Sequence, residues 1–420
     1  MLFALLKSPT NKICLFLICI LLSIPKLYGM HFSEHMRYNL GFNLFIMDHE
    51  GSTTYWPNTN TTLNTRLTPE IGFAFNTKNV EQKIMVGAFF FQNIHNYKLN
   101  FPSKWGPTLY YQAKGRAFNF FGGIFPRKYL NGHYPLNVFA PYYWFIDPNA
   151  RGFLVQYKPI KDPYKSTSLE GEFMLDWFGG NCYICKFGHN NLGNGMDRFS
   201  FMGYTELSTL KGFLIFGGNA EYFHVEDQYL LNWPNTSGSI STGSVYLLDR
   251  LYYQAYAKTN LINAAPFMEK LDFSIGVLGN LERLRRIGLS VPFRVGTGLF
   301  MDTHMQYKGF GIYDMFFASR QGEDFHYKEY NDIYIDKICS SSSNYYPTPI
   351  YRGVPFFQAP LYNRLDIYYE FRSSFATIRT QFVYNTMSNY HTTQSSYQVY
   401  FTVALDSYDL LNYVLRKIHR

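Results

Sequence analysis

The stretch NRLDIYYEF, residues Asn363–Phe371, alternates between polar and apolar side chains along its whole length. Its polar positions are Arg364, Asp366, Tyr368 and Glu370, and its apolar positions are Leu365, Ile367, Tyr369 and Phe371. Successive side chains of a β-strand point to opposite faces, so this period of two predicts a two-faced strand. Strands of about ten residues cross a bilayer at a tilt, whereas globular strands average about five or six. The stretch therefore predicts a membrane-spanning strand.

The same period of two recurs along most of the chain and predicts sixteen strands. In chain order they are Arg37–Met47, Arg66–Asn76, Gln82–Gln92, Pro107–Lys114, Arg116–Pro126, Arg151–Lys158, Ser168–Phe178, Arg198–Leu207, Gly212–His224, Val245–Lys258, Lys270–Gly279, Val291–His304, Tyr307–Ser319, Asn363–Phe371, Ser374–Tyr384 and Tyr397–Asp406. The predicted fold class is all-β, a transmembrane antiparallel β-barrel of roughly 14–18 strands, with 16 as the best estimate. A soluble secreted β-sandwich would also alternate, but strand length favours the barrel.

Composition agrees with a barrel. Aromatic residues make up 20% of the chain and charged residues only 16%. Tyr and Trp suit a membrane interface because one end of each ring is apolar and the other can be hydrated. The mean hydropathy of −0.19 is low for a helical membrane protein. A barrel keeps its polar half in the lumen, so this average does not argue against one.

The chain divides into three predicted parts. Residues 1–29 carry Lys7 and Lys12 before the apolar run Ile13–Pro25, which predicts a cleaved signal peptide, with an uncleaved anchor as the alternative. Residues 30–406 form the predicted barrel, and residues 407–420 a C-terminal tail. No later apolar run is long enough for a helical span.

Charge and cysteine usage exclude other classes of protein. Without residues 1–29 the chain has 35 basic and 30 acidic residues, a net charge of +5 that is too diffuse to suggest a nucleic-acid partner. The basic run Arg283–Arg286 is interpreted as a solvated turn between strands. Cys182, Cys185 and Cys339 remain after the signal, and an odd count in an exported chain cannot pair completely.

Signal peptide, strand pattern, aromatic content and a final strand near the C-terminus together resemble porin-like outer-membrane β-barrels of Gram-negative bacteria. The resemblance covers the mature chain and implies contact with outer-membrane lipid and lipopolysaccharide. It also implies passive diffusion of small hydrophilic solutes, with the oligomeric state open. One departure is that such barrels commonly end in an aromatic residue on the last strand. This chain continues with Ser407–Arg420.

No motif supports an enzyme or a cofactor. The stretch Gly188–Gly195 is similar to part of the outer-membrane phospholipase, but Asn191 stands where a serine nucleophile would be needed beside His189. Asp48-His49-Glu50 could contact a metal in a loop, although such clusters are usually solvated. We therefore expect no catalytic, cofactor or metal residues, and a lipid hydrolase is a distant third candidate for the function.

Charges on the polar faces are the candidate pore-lining residues: Glu170, Glu172, Asp176, Asp272, Arg294, Arg364, Asp366, Glu370 and Arg379. Rings of charge set ion preference in pores. Three acids on Ser168–Phe178 predict an acidic stripe, and Arg364 with Arg379 predicts a basic stripe facing it. The alternative is that each charge neutralises a strand neighbour, as Arg364 could with Asp366.

Long connections offer a second function. Arg127–Ala150 contains Tyr142–Phe145, and Arg320–Tyr362 contains Tyr345-Tyr346. Exposed aromatic loops could grip a glycan or host protein, which would make the chain a binding or adhesion barrel with a closed lumen. Alternatively, Arg320–Tyr362 could fold inward and narrow the pore.

Overall fold

The computed structural model describes residues 35–51, 59–94, 102–158, 167–177, 198–227, 246–286, 292–320, 353–373, 376–388 and 392–406. The predicted signal peptide (1–29) and tail (407–420) lie outside this part of the chain and remain predictions, as do all statements about the three remaining cysteines, His189 and Tyr345-Tyr346.

The described residues form sixteen strands. They are β1 (Met36–Glu50), β2 (Asn60–Thr77), β3 (Val80–Asn93), β4 (Lys104–Lys114), β5 (Phe118–Pro126), β6 (Asn149–Tyr157), β7 (Ser168–Trp177), β8 (Arg198–Thr209), β9 (Leu214–Asp227), β10 (Tyr246–Asn260), β11 (Lys270–Arg286), β12 (Arg294–Tyr307), β13 (Phe310–Ser319), β14 (Leu361–Arg372), β15 (Ala376–Ser388) and β16 (Thr393–Asp406). One helix, α1 (Pro141–Ile146), and 3-10 turns at Arg127–Tyr129, Leu210–Gly212 and Pro355–Gln358 complete the described elements.

Each strand pairs antiparallel with its sequence neighbours, and β1 pairs with β16 to close the barrel. The closing register runs from Gly41 opposite Asp406 to Glu50 opposite Tyr397. Closure leaves no sheet edge, which a bilayer requires because it offers no water to unpaired backbone groups. The predicted barrel and its sixteen strands are therefore confirmed.

Several strands are longer than their alternation predicted. The basic run Arg283–Arg286, interpreted from the sequence as a solvated turn, is instead the end of β11. Arg283 points outward there and donates from Nε to Asp249 Oδ2 at 2.7 Å. The prediction was wrong because an outward carboxylate on β10 lets a cation remain within the strand.

The two rims differ in the length of their connections. Lys308 and Gly309 turn β12 into β13 with φ values of 47° and 82°. Positive φ at both central residues is the tight hairpin geometry that matches strand twist. This end of the barrel is called the short rim. β5 and β13 end, and β6 and β14 begin, at the opposite end, which is called the long rim.

The outer surface of the barrel is apolar. Exposed side chains such as Leu40, Ile71 and Leu299 cover its middle. Aromatic rings flank this band: Phe118, Phe310 and Tyr369 near the short rim, and Trp105, Trp177 and Tyr384 near the long rim. An apolar band between two aromatic girdles is the surface that a barrel presents to a bilayer. None of the described helices is long and apolar enough to cross a membrane.

Candidate functional site

The lumen is the candidate site, and residues 127–148 fold into it between β5 and β6. We call this stretch the first inward segment. Its Phe139 and Tyr143 belong to one buried cluster with inward side chains of the wall, including Phe121, Leu154 and Met174. The aromatic run PYYWFI is helical because it starts with proline at a position where no backbone N–H is needed. Burial of its rings fixes the segment against β3–β8.

Charged groups anchor the start of the segment. Arg127 is 1% exposed and pairs with Asp176 of β7 at 2.5 Å and with Asp147 at 3.6 Å. Burial alone would lower the pKa of Arg127, but the Asp176 carboxylate outweighs burial and raises that pKa. Burial likewise acts to raise the pKa of Asp147, yet Lys104 and Arg127 outweigh it and hold that pKa at about 2. Arg127 and Asp147 are therefore both charged at neutral pH.

Two wall cations hold the end of the segment. Arg66 donates from Nη1 to the carbonyl oxygens of Trp144 and Phe145, at 2.8 and 2.9 Å. Lys104 donates to the carbonyl oxygen of Ile146 at 3.2 Å. The last carbonyls of a helix have no intrahelical partner and carry partial negative charge, so cations stabilise them. The C-terminal end of α1 is thereby fastened to β2 and β4.

Glu172 of β7 fixes the middle of the segment. Its carboxylate accepts hydrogen bonds from the backbone N–H groups of Asn131 and Gly132, at 2.9 and 2.8 Å. The Tyr134 hydroxyl donates to it at 2.9 Å. Burial, together with this carboxylate, raises the pKa of Tyr134 well above its ordinary value. Glu172 acts as an anchor for the first inward segment.

A second inward segment, residues 353–360, precedes β14 and completes the constriction. Phe356 and Phe357 are buried with Phe317 and Tyr362 on the wall opposite the first segment. Val354 donates its backbone N–H to the carbonyl oxygen of Leu136 at 2.7 Å, which joins the two segments. Together they contact most of the barrel wall and narrow the lumen.

Below the joined segments, on the short-rim side, lies a cavity of about 690 Å³. Strand residues of β10–β16 form its wall, and Tyr134, Leu136 and Phe357 form part of its ceiling. Asn260 and Lys270, at the short-rim ends of β10 and β11, place it next to that rim. It is large enough for a small organic solute with its hydration water.

The structure divides the predicted pore-lining residues into three groups. Asp272, Arg364, Asp366 and Arg379 line the cavity. Glu172 and Asp176 point inward as predicted, but they are buried against the first inward segment and act as its anchors. The remaining three do not line the cavity. Arg294 is exposed where β12 begins at the long rim, Glu170 lies beside the Tyr204 hydroxyl, and Glu370 pairs with Arg372 and Arg379.

The predicted basic stripe is also altered by pairing. Arg364 is 2% exposed and donates from Nε to Asp366 Oδ1 at 2.7 Å, which is the alternative that the sequence left open. Arg379 lies 3.5 Å from Glu370 and stacks over the Tyr368 ring at 3.8 Å. Of the two arginines, only Arg379 remains partly exposed to the lumen.

Two further sequence interpretations are corrected. Asp48-His49-Glu50 ends β1 and is not a loop, and His49 is fully buried with Nδ1 at 3.0 Å from Gln398 Nε2. Among the described residues, no group of three or more potential ligands could hold a metal. Tyr143 and Phe145 were expected on an exposed loop but are 4% and 7% exposed inside the lumen. Burial of their apolar rings outweighs the usual placement of a loop at the surface.

Sequence reasoning missed the anchoring residues Arg127, Arg66 and Lys104. The second inward segment lies within Arg320–Tyr362, for which inward folding was one of the alternatives that the sequence left open. One signal was present: an apolar run such as PYYWFI in a connection between polar-faced strands needs a surface to bury it. The partners of that run are distant in the chain, so their identity could not be read from local pattern.

Comparisons with known proteins add the following. No protein-family model matches the sequence, and no curated protein sequence matches it. Solved structures similar to it include OprB of Pseudomonas putida, with 11% identity, 89% of this chain and 94% of that chain covered, and a TM-score of 0.44. OmpF of Salmonella typhi has 10% sequence identity, with 89% of this chain and 99% of that chain covered and a TM-score of 0.45. An anion-selective porin of Comamonas acidovorans has 8% identity, with 88% of this chain and 99% of that chain covered and a TM-score of 0.45. The strand pairing itself establishes the fold.

Proposed function

We propose that the protein is an outer-membrane channel for passive diffusion of small hydrophilic solutes. The observation that carries the proposal is a closed sixteen-strand barrel with an apolar outer band and a polar cavity in its lumen. At about sixteen strands a barrel is wide enough for an aqueous channel. Its outer band would contact outer-membrane lipid, and the long rim would lie among lipopolysaccharide head groups.

The two inward segments limit what such a channel can pass. They join across the lumen through Val354 and Leu136, so the passage is narrower than the barrel. The channel would therefore pass only solutes small enough to fit the cavity below the segments. No catalytic role is part of this proposal.

The rival adhesion function loses its main support among the described residues. It required exposed aromatic loop residues, whereas inside the barrel Phe145 packs against Phe45 and Phe91, and Tyr143 stacks on Phe139. Rings turned into the lumen cannot grip an external glycan or protein.

Conductance of the purified protein in a planar bilayer tests the proposal. We expect discrete channel openings in salt solution. The wild type is compared with the variant D176N. This substitution removes an anchor of the first inward segment and should raise the conductance. Silent bilayers with both proteins, each shown to be folded by heat-modifiable migration on a detergent gel, would contradict the channel function.

A further inference from the structure

One side of the cavity carries uncompensated acids. Asp272 of β11 and Asp302 of β12 line it, and neither forms an ion pair with a described residue. The nearby Lys258 is 3.2 Å from Glu206 and is thereby neutralised. Lys270 lies two residues from Asp272 on the same face, and its neighbour Glu269 also lines the cavity, so among the described residues three carboxylates face this one unpaired cation. This side therefore keeps an excess of negative charge.

The other side carries an excess of positive charge. Arg364 and Asp366 of β14 neutralise each other at 2.7 Å. Glu370 is shared between Arg372, at 2.5 Å, and Arg379, at 3.5 Å. One carboxylate facing two guanidinium groups leaves one positive charge, and Arg379 is the arginine of the two that lines the cavity. Its guanidinium is held by the Tyr368 ring.

The spacing of these two sides defines a charge separation. Asp302 is on β12 and Arg379 on β15, three strands apart in the closed sheet. At about 4.8 Å between strands, the wall between them spans ~14 Å, and the inward reach of an arginine shortens the gap between the charged groups. Tyr256, Tyr313 and Phe300 also line the cavity and offer aromatic faces to an organic cation.

We propose that this cavity binds dipolar solutes whose ammonium and carboxylate groups are separated by several bonds, such as ω-amino acids or short zwitterionic peptides. The ammonium group contacts Asp272 and Asp302, and the carboxylate contacts Arg379. The inference rests on the proposed function, because solutes reach the cavity through the lumen.

The test is block of the ionic current in a planar bilayer by solutes with a six-carbon chain. The probes are 6-aminohexanoate (dipolar), 1,6-diaminohexane (cationic) and adipate (anionic), with glycine as a dipolar solute of short charge separation. A unit charge acting across a hydrated gap changes affinity by roughly fivefold. We expect 6-aminohexanoate to give half-block at a concentration about fivefold lower than each of the other three.

Variants identify the contacts. In D272N/D302N and in R379Q, half-block by 6-aminohexanoate should need a concentration about fivefold higher, since each removes one end of the charge pair. R379K keeps the charge and should stay close to the wild type. The matched controls E81Q and K83Q change an inward ion pair on β3 that does not line the cavity, and they should leave block unchanged.

The outcomes separate the two proposals. Current that all four solutes block equally, or block that ignores D272N/D302N and R379Q in variants with normal heat-modifiable migration, overturns the dipolar site and leaves the channel intact. Absence of any current contradicts the channel function and, with it, this inference.

Discussion

Arg127 and Asp176 form an ion pair in which both side chains are 1% exposed. Removing one partner of such a pair leaves a buried charge without compensation, which costs about 3–5 kcal/mol. We predict that D176N lowers the free energy of unfolding by about 3 kcal/mol. Urea unfolding in lipid vesicles measures this. The control is E81Q, because Glu81 and Lys83 are 34% and 26% exposed and such pairs contribute about 1 kcal/mol or less. Equal losses in the two variants would contradict the anchoring role.

Asp147 makes the first inward segment sensitive to acid. Its pKa in the folded protein is about 2, because Lys104 and Arg127 outweigh the effect of burial. An unfolded aspartate titrates near ~3.9, so the stabilisation is complete above that pH and is lost as the pH falls toward 2. We predict that conductance is constant from neutral pH to about pH 4 and rises below it.

The variant D147N provides the control for this acid effect. It lacks the titrating carboxyl, so its conductance should already be raised at neutral pH and should change less on acidification. A wild-type protein that opens near neutral pH would show that another group, not Asp147, governs the segment.

Asp314 is an exposed carboxylate on the outward face of β13, between Ile312 and Phe316. Asn363 Nδ2 donates a hydrogen bond to its Oδ1 at 3.1 Å. Charged groups on the lipid face of a barrel destabilise it in proportion to their depth. We predict that D314L raises the free energy of unfolding in vesicles by about 1 kcal/mol. A loss of stability in D314L would instead indicate that another protein surface covers this face.

The two inward segments meet where Gly353 lies against Asn137. A Cβ atom at position 353 would overlap the backbone oxygen of Asn137, so a side chain there must push the segments apart. We predict that G353V raises single-channel conductance while heat-modifiable migration is retained, because the barrel wall is untouched. The matched control is G203V on the outward face of β8, where a Cβ meets open space and no change is expected. Unchanged conductance in G353V would show that the junction does not limit flow.

Local pattern predicts the strands well but not what fills the barrel. The alternation at Asn363–Phe371 shows which side chains share a face of the sheet. The observed strand β14, Leu361–Arg372, contains the whole predicted strand. The constriction depends on contacts between residues far apart in sequence, such as Val354 with Leu136. The alternation of polar and apolar residues shows that a charged side chain such as Asp176 points inward. It does not show whether that side chain contacts water or pairs with Arg127.

Closure of the barrel determines its stability as a whole. The β1–β16 pairing joins the first and last strands from Gly41–Asp406 to Glu50–Tyr397. Without β16, both β1 and β15 would expose unpaired backbone groups, each costing several kcal/mol in lipid. The predicted acids and arginines of the lumen would then have no enclosed space to line.

Truncation tests this dependence on closure. We predict that a chain ending at Asp406 keeps heat-modifiable migration, because every pair of the closing register is retained. A chain ending at Thr392 lacks β16 and should migrate as unfolded protein at all temperatures, because the open sheet cannot satisfy its backbone in a bilayer. Detergent gels of heated and unheated samples distinguish the two chains. Heat-modifiable migration of the shorter chain would show that the barrel closes by a pairing other than β1 with β16.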